Sequence, residues 1–399
     1  MLHTDILVIG GGLSGITFAH FAAKLGKKVI ILEKRSLPGG CIRTTKPYDD
    51  NDFFIELGAH TIYSSYSAIL EMIDNLGLKR SVIPHLKHGY FMYEKNQIAS
   101  IFSKLSIVGL LSAAFHFPFC KKAGLTVKEY YTKTVGAKNY ENIIHPLTSA
   151  VICQDSADFA ADVILKSRKK NRSYPRSFSL PNGLQSLLER AASQKMIALH
   201  TKTVISSIEY KKGKHIISAT DGEYAADKIA FAADAYNSAE LISRWRNASD
   251  RVKKVAELLR ELPMKKSEAF AVSARTEQFK IRRFSYIISK NSPLRSVVSR
   301  DVIENSKYRG ATFHFKPETS LTDYPKTACE ILGIDEYLSS ETARFTLPEL
   351  RVTHKDWRRK VEALANVKNF YLLGNYFGGL SLEDCALRAK SEAERAAEE

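Results

Sequence analysis

The stretch Asp5-Ile6-Leu7-Val8-Ile9-Gly10-Gly11-Gly12-Leu13-Ser14-Gly15, with Val29-Ile30-Ile31-Leu32-Glu33 downstream, decides the fold. An apolar run of strand type meets a glycine turn, a helix-like stretch follows over 16–25, and a second apolar run ends in an acid. This order is the dinucleotide fingerprint in its full context of strand, turn, helix and acid-tipped strand. Gly10 permits the tight turn. Gly12 lets the backbone approach a pyrophosphate, which then sits on the positive end of the helix that Leu13 and Ser14 begin. Gly15 lets helix and strand pack closely. Glu33, 18 residues past Gly15, is placed to accept hydrogen bonds from ribose hydroxyls. An isolated glycine pattern is an ordinary turn; the added strands, helix and acid give it its meaning.

Directly after Glu33 comes Lys34-Arg35-Ser36-Leu37-Pro38-Gly39-Gly40-Cys41-Ile42-Arg43-Thr44. The glycine pair gives a second close backbone approach, and Arg43 supplies a fixed cation for a pyrophosphate. A simple NAD site has no need of this element. Fingerprint, Glu33 and this segment together resemble the FAD-binding amino terminus shared by flavin amine oxidases, phytoene desaturases and protoporphyrinogen oxidases. Glu56-Leu57-Gly58-Ala59-His60 continues the likeness. The resemblance implies FAD as cofactor, held by Gly10, Gly12, Leu13, Ser14, Gly15, Glu33, Lys34, Gly40, Arg43 and Thr44. It also implies that Gly58, Ala59 and His60 return the chain to the flavin ring, and that Val204 offers backbone groups to the adenine.

The carboxy-terminal run Asn369-Phe370-Tyr371-Leu372-Leu373-Gly374-Asn375-Tyr376-Phe377-Gly378-Gly379-Leu380-Ser381-Leu382-Glu383-Asp384-Cys385 reads as strand, glycine loop, helix. It makes a second strand-to-helix turn whose amides are available to a diphosphate or a ring. It resembles the closing motif of protoporphyrinogen oxidases, which implies that Gly374, Asn375, Gly379 and Leu380 meet the cofactor. Ser179–Gln185 resembles the central Gly-Leu-Gln turn of that family, and Gly124–Tyr130 its helix before the substrate cleft. Two places depart from the pattern. Ala150–Asp155 stands where the family has a glycine-rich stretch, and Arg388-Ala389-Lys390 replaces a Ser-Gly pair.

At 399 residues the chain exceeds one ordinary core, so more than one lobe is expected. The fold class is α/β: a Rossmann-type FAD-binding domain, discontinuous in sequence, with a mixed α+β substrate domain and a helical lobe. The boundaries read as 1–65, 177–245 and 345–399 for the FAD-binding domain, 66–176 for the helical substrate or membrane lobe, and 246–344 for the α+β segment. Helical periodicity marks 67–76, 103–115, 126–135, 139–150 and 252–262; strand patterns mark 197–200, 204–210, 215–219, 228–232 and 284–288.

Five cysteines, Cys41, Cys120, Cys153, Cys329 and Cys385, show no metal-ligand or disulfide spacing, so no metal is expected. With the first strand so near the amino terminus, no signal peptide is expected, and the location reads as cytoplasmic. The net charge of +16 attracts anions, but no nucleic-acid motif accompanies it. The basic run Lys166–Arg172 reads as a solvated loop. Leu105–Phe119 is almost wholly apolar and lysine-flanked, yet short for a span of about 20 residues. It reads as a core helix first, and second as a helix dipping into the inner face of a membrane.

No nucleophile, base and acid constellation stands out. The family resemblance implies oxidation of protoporphyrinogen in haem synthesis, by hydride transfer to flavin with oxygen or a quinone as acceptor. Lys87 and His88, before the aromatic strand at 89–93, fall where the family has a substrate-facing basic residue. The alternatives are an amine oxidase or desaturase acting on another small lipophilic molecule, a flavin-dependent sugar-nucleotide mutase, and a flavin-binding protein without turnover. The substrate, the acceptor and the oligomeric state stay open.

Overall fold

A computed structural model describes residues 1–49, 52–114, 120–290 and 292–399. Two seven-stranded sheets organise it. In the first, Val29–Leu32 lies between Ile197–His200 and Leu2–Ile9, all parallel, and Leu2–Ile9 pairs in parallel with Gly222–Phe231. Phe370–Leu372 also runs parallel to Gly222–Phe231, while Lys214–Ala219 and Ile205–Lys211 continue the sheet antiparallel.

The alternation of Leu2–Ile9 explains why this sheet is covered on both sides. Ile6 and Val8 enter one core with helices Leu13–Lys24, Ser67–Asn75, Gln185–Ala192 and Leu382–Glu398. Leu7 and Ile9 enter another with helices Ala235–Ser243, Asp250–Glu261 and His354–Ala365. Strands buried on both faces read as continuous apolar runs, which is how 6–9 and 29–32 appear in the sequence. Fully burying side chains such as Ile31 and Phe18 stabilises the layer by roughly 1.5–3 kcal/mol each.

The second sheet runs Ser339–Pro348, Met264–Arg275, Tyr308–Phe315, Leu294–Ser299, Phe284–Ser289, Gly89–Glu94, Gln97–Ser100. Its outer face packs on the helix Asp323–Leu332 through Phe270, Phe313, Phe315 and Tyr324. Its inner face turns toward the first lobe, where Ala269, Ala271, Phe345, Phe53, Ile55 and Leu57 share a core. The hairpin Gly89–Ser100 belongs to this sheet, although the periodicity of 66–176 reads as mainly helical. The strand Ser339–Pro348 likewise carries the second sheet past residue 345.

Two expectations are corrected here. The helix Ile107–Ala114 is not core: Ile107, Val108 and Leu111 are 65–77% exposed, as is Phe102 just before it. Residues 115–119 of that apolar run lie outside the described residues. The basic run is not wholly solvated either, because Lys166 and Arg168 both grip Asp384, at 2.7 and 2.9 Å.

Candidate functional site

The first glycine turn is built as its residues require. Gly10 has φ +111°, and a Cβ there would sit 3.0 Å from the Ala232 carbonyl. A Cβ on Gly15 would run into the Gly10 carbonyl oxygen, so only glycine lets the helix begin here. The helix Leu13–Lys24 starts at Gly12 with no side-chain cap and no acid in its first turn. Its leading N–H groups are therefore left for an anion.

The second glycine pair is laced onto the first. The Gly39 N–H donates to the Gly11 carbonyl at 2.8 Å, and Gly12 bridges Gly39. Glu33 is 8% exposed and clamped by two backbone donors: Gly11 N–H to Oε2 at 2.7 Å, and Arg35 N–H to Oε1 at 2.8 Å. Arg35, which no sequence motif singles out, also donates from Nη1 to the Gly40 carbonyl at 3.3 Å. A cavity of 390 Å³ runs along this loop past Arg35, Gly40, Arg43, Thr44 and Gln185. An adjoining one of 510 Å³ shares Arg35 and Arg43. Lys34 is exposed beside them.

Cys41 follows the second glycine pair; its side chain is exposed, and the surrounding protein pushes its thiol up to about 11, with Arg35, Asp234 and Cys153 acting on it. Gly58 and Ala59 border the same segment: the Ala59 N–H donates to the Cys41 carbonyl at 3.1 Å, and a Cβ on Gly58 would strike that carbonyl. Thr44 is tied inward, its hydroxyl donating to Glu56 at 2.8 Å while Glu56 accepts the Leu184 N–H at 2.6 Å. Burial pushes Glu56 up to about 8.

His60 stands against the inner face of the second sheet. Its Nδ1 lies 3.1 Å from the Gly58 carbonyl, and its Nε2 touches the hydroxyl of Tyr286. The network assigns the tautomer: Nδ1–H donates to the carbonyl, and Nε2 accepts from the tyrosine. Burial holds His60 below the usual histidine range, so the ring is neutral near pH 7. Tyr286 stacks on Tyr90, rings 3° from parallel with centroids 5.9 Å apart. Tyr90 is 53% exposed, so this aromatic wall reaches solvent. His314, bonded to Ser296 at 3.2 Å, is pushed down to about 3 by burial, with His60 adding to it.

The closing motif places Gly374 and Gly379 at φ +151° and +145°. Ser381 caps the last helix through the Asp384 N–H at 3.1 Å. Lys166 reaches from the helical lobe to Asp384 and to the Gly378 carbonyl, and Arg168 to Ser381 at 3.2 Å. Leu380 is partly buried beside this network and Asn375 is half-buried. Cys385 is buried, its thiol pushed up to about 12 by burial.

Val204, His88 and Lys87 have these surroundings. The Val204 N–H donates to Thr220 Oγ1 at 3.0 Å and its carbonyl accepts the Thr220 N–H at 3.0 Å, so both groups already have partners within the protein. The His88 ring bonds the Asp301 carbonyl at 3.0 Å, which directs it to the sheet and not to the cleft. Lys87 is an exposed neighbour.

This site defines a class: a two-sheet protein with a dinucleotide-binding domain. Residues 8–76 match the family model for the NAD(P)-binding Rossmann-like domain. The tomato (Solanum lycopersicum) 15-cis-phytoene desaturase is 35% identical over 74 residues, which is 18% of this chain and 12% of the desaturase. The Daboia russelii L-amino-acid oxidase is 30% identical over 87 residues, 22% of this chain and 17% of the oxidase. The chain thus matches under one fifth of the length of these curated relatives. Solved structures are similar along the whole chain. A provisionally assigned protoporphyrinogen oxidase from Exiguobacterium sp. 255-15 has a TM-score of 0.79 at 17% identity, covering 99% of this chain and 98% of that one. A putrescine oxidase variant has a TM-score of 0.72 at 12% identity, covering 100% of both chains. A fatty acid isomerase from P. acnes has a TM-score of 0.74 at 14% identity, covering 98% of both.

The comparisons thus show a dinucleotide-binding domain at residues 8–76 and, along the whole chain, the fold shared by these solved structures.

Proposed function

We propose that this chain is an FAD-dependent oxidase whose substrate is protoporphyrinogen or a similar lipophilic, acid-bearing molecule. One observation carries the reading: the two glycine turns are interlocked around an uncapped helix start, a clamped Glu33 and Arg43. These are the groups a flavin dinucleotide needs at its ribose and pyrophosphate. The similarity to the Exiguobacterium structure along the whole chain, with the Gly374–Cys385 motif, supports the finer choice of substrate.

FAD, when bound, supplies a two-electron sink. The protein's part is binding and orientation. Gly10, Gly12, Gly15 and the helix N–H groups hold the diphosphate, Glu33 the ribose, and Arg35 and Arg43 the phosphate charge. Asp384, fixed by Lys166 and Arg168, sets the closing turn. His60, neutral and tied at both ring nitrogens, Nδ1–H to the Gly58 carbonyl and Nε2 to the Tyr286 hydroxyl, orients Tyr286 against the inner face of the second sheet.

The exposed apolar residues Phe102, Ile107, Val108 and Leu111 support a peripheral membrane contact. No described helix is long and apolar enough to cross a membrane. Of the flanking lysines, Lys104 pairs with Glu94 at 2.6 Å and Lys122 bonds the Ile164 carbonyl at 2.9 Å, so Lys121 and the overall charge carry any attraction to anionic lipid. Sedimentation with acidic and neutral vesicles tests this: equal capture by both removes the lipid reading.

The function itself is tested by incubating FAD-loaded protein with protoporphyrinogen and following porphyrin fluorescence against a protein-free control. Fluorescence no faster than the control removes the porphyrinogen reading. Turnover of an amine instead would favour the amine oxidase reading, which the putrescine oxidase likeness supports.

A further inference from the structure

The inner face of the second sheet carries a cation that the proposed function does not use. In Leu294–Ser299 the register against Tyr308–Phe315 slips between Leu294, opposite Phe315, and Ser296, opposite His314. Leu294 packs into the outer core and Ser296 bonds His314 on the inner face. The bulge frees Arg295 from strict alternation. The helix His145–Ile152, which ends at the left-handed Cys153, packs on both Leu294–Ser299 and Phe284–Ser289, and Asp155 and Glu318 act on the Arg295 charge. His60 touches Tyr286, and Tyr286 and Arg295 stand on the paired strands Phe284–Ser289 and Leu294–Ser299, which the same helix covers.

Arg295 makes no hydrogen bond and no ion pair among the described residues, and its Nε is fully buried without a partner. Asp155 does not satisfy it, being engaged by His145 at 3.2 Å and the Ala157 N–H at 2.9 Å. A desolvated guanidinium with an open fork is matched by a planar bidentate anion, and a carboxylate is that anion.

We infer that Arg295 receives a carboxylate of the substrate, whose apolar body lies along Tyr286 and Tyr90 with its reacting end toward His60. The cleft would then select acids over their esters. This rests on reading the cleft as the substrate site, but not on the substrate being a porphyrin.

The test is equilibrium binding to FAD-loaded protein of two acid and ester pairs: protoporphyrin IX against its dimethyl ester, and oleate against methyl oleate. At least one acid should bind about tenfold or more tighter than its ester, the worth of one charge-assisted hydrogen bond. Arg295→Gln should abolish that preference and leave ester binding unchanged, Arg295→Lys should restore it in part, and Lys87→Ala should leave it intact. Preference for oleate alone would keep the Arg295 assignment and remove the porphyrin reading. Equal binding of acid and ester to the unmodified protein in both pairs, or a preference surviving Arg295→Gln or lost in Lys87→Ala, would overturn the inference. The first comparison needs no variant, so a misfolded Arg295→Gln protein leaves the question decidable.

Discussion

Replacing Glu33 tests the cofactor site and the architecture together. Its carboxylate is nearly buried and accepts two backbone N–H groups, from Gly11 at 2.7 Å and Arg35 at 2.8 Å. Glu33→Ala leaves both donors unpaired at the point where the two glycine turns meet. Each lost charge-assisted bond is worth about 1.5–3 kcal/mol, and partial hydration of the opened site recovers some of it. The net expectation is a loss of about 3 kcal/mol in unfolding free energy without added FAD. FAD affinity should fall by a further tenfold or more, because the ribose loses its acceptor. Glu33→Gln keeps one acceptor oxygen and should cost about half as much stability. Urea unfolding with and without FAD, and FAD titration followed by flavin fluorescence, measure the two effects separately. Unchanged stability and affinity in Glu33→Ala would refute the reasoning, since the clamp would then be holding nothing.

Other expectations follow from burial and charge. His20, His85 and His215 are pushed down to about 4 by burial, and His314 to about 3. Unfolded histidines take up protons near 6.5, so their contribution is fully present above that pH and is lost as pH falls toward 4. The urea midpoint should therefore drop steeply between pH 6.5 and 4.5; a flat profile there contradicts the assignment. Glu56 acts in the opposite sense: its carboxyl, raised to about 8, costs stability as pH climbs from 4.5 to 8. Glu56→Gln should accordingly gain on the unmodified protein over that window, and a constant difference between the two would count against it. Asp384→Asn should cost about 2 kcal/mol by loosening Lys166 and Arg168, read as a lowered unfolding midpoint. Because Cys385 is buried with its thiol raised to about 12, acid precipitation should release all yellow colour to the supernatant; colour kept in the pellet would show a covalent flavin.

The nucleotide half of the fold was legible because its signals are local. Gly10, Gly12, Gly15 and Glu33 lie within one strand-turn-helix-strand unit, and each is there for a steric or hydrogen-bonding reason that spacing alone reveals. The glycine pair and Arg43 could be read for the same reason. The substrate side could not. Tyr90 and Tyr286 come together only when Gly89–Glu94 pairs with Phe284–Ser289 across nearly 200 residues of sequence. No period or motif announces that pairing. Arg295 depends further on a bulge, which looks like ordinary strand in sequence. Lys166 and Arg168 were hidden because a cluster of cations carries no sign of a distant partner, here Asp384. Val204 stands beside a strand, but only the structure gives its amide and carbonyl to Thr220. Ile107, Val108 and Leu111 mislead in the other direction, since an apolar run is as consistent with a partner surface as with a core.

The central claim, an FAD-dependent oxidase, is tested most directly by mixing the FAD-loaded protein with protoporphyrinogen in the absence of oxygen. The flavin absorbance should bleach as porphyrin fluorescence rises, and admitting an acceptor should restore the yellow colour and permit further turnover. Flavin that stays oxidised with protoporphyrinogen and with amine substrates alike, in a protein that becomes active on a galactopyranose nucleotide only after dithionite, would contradict it.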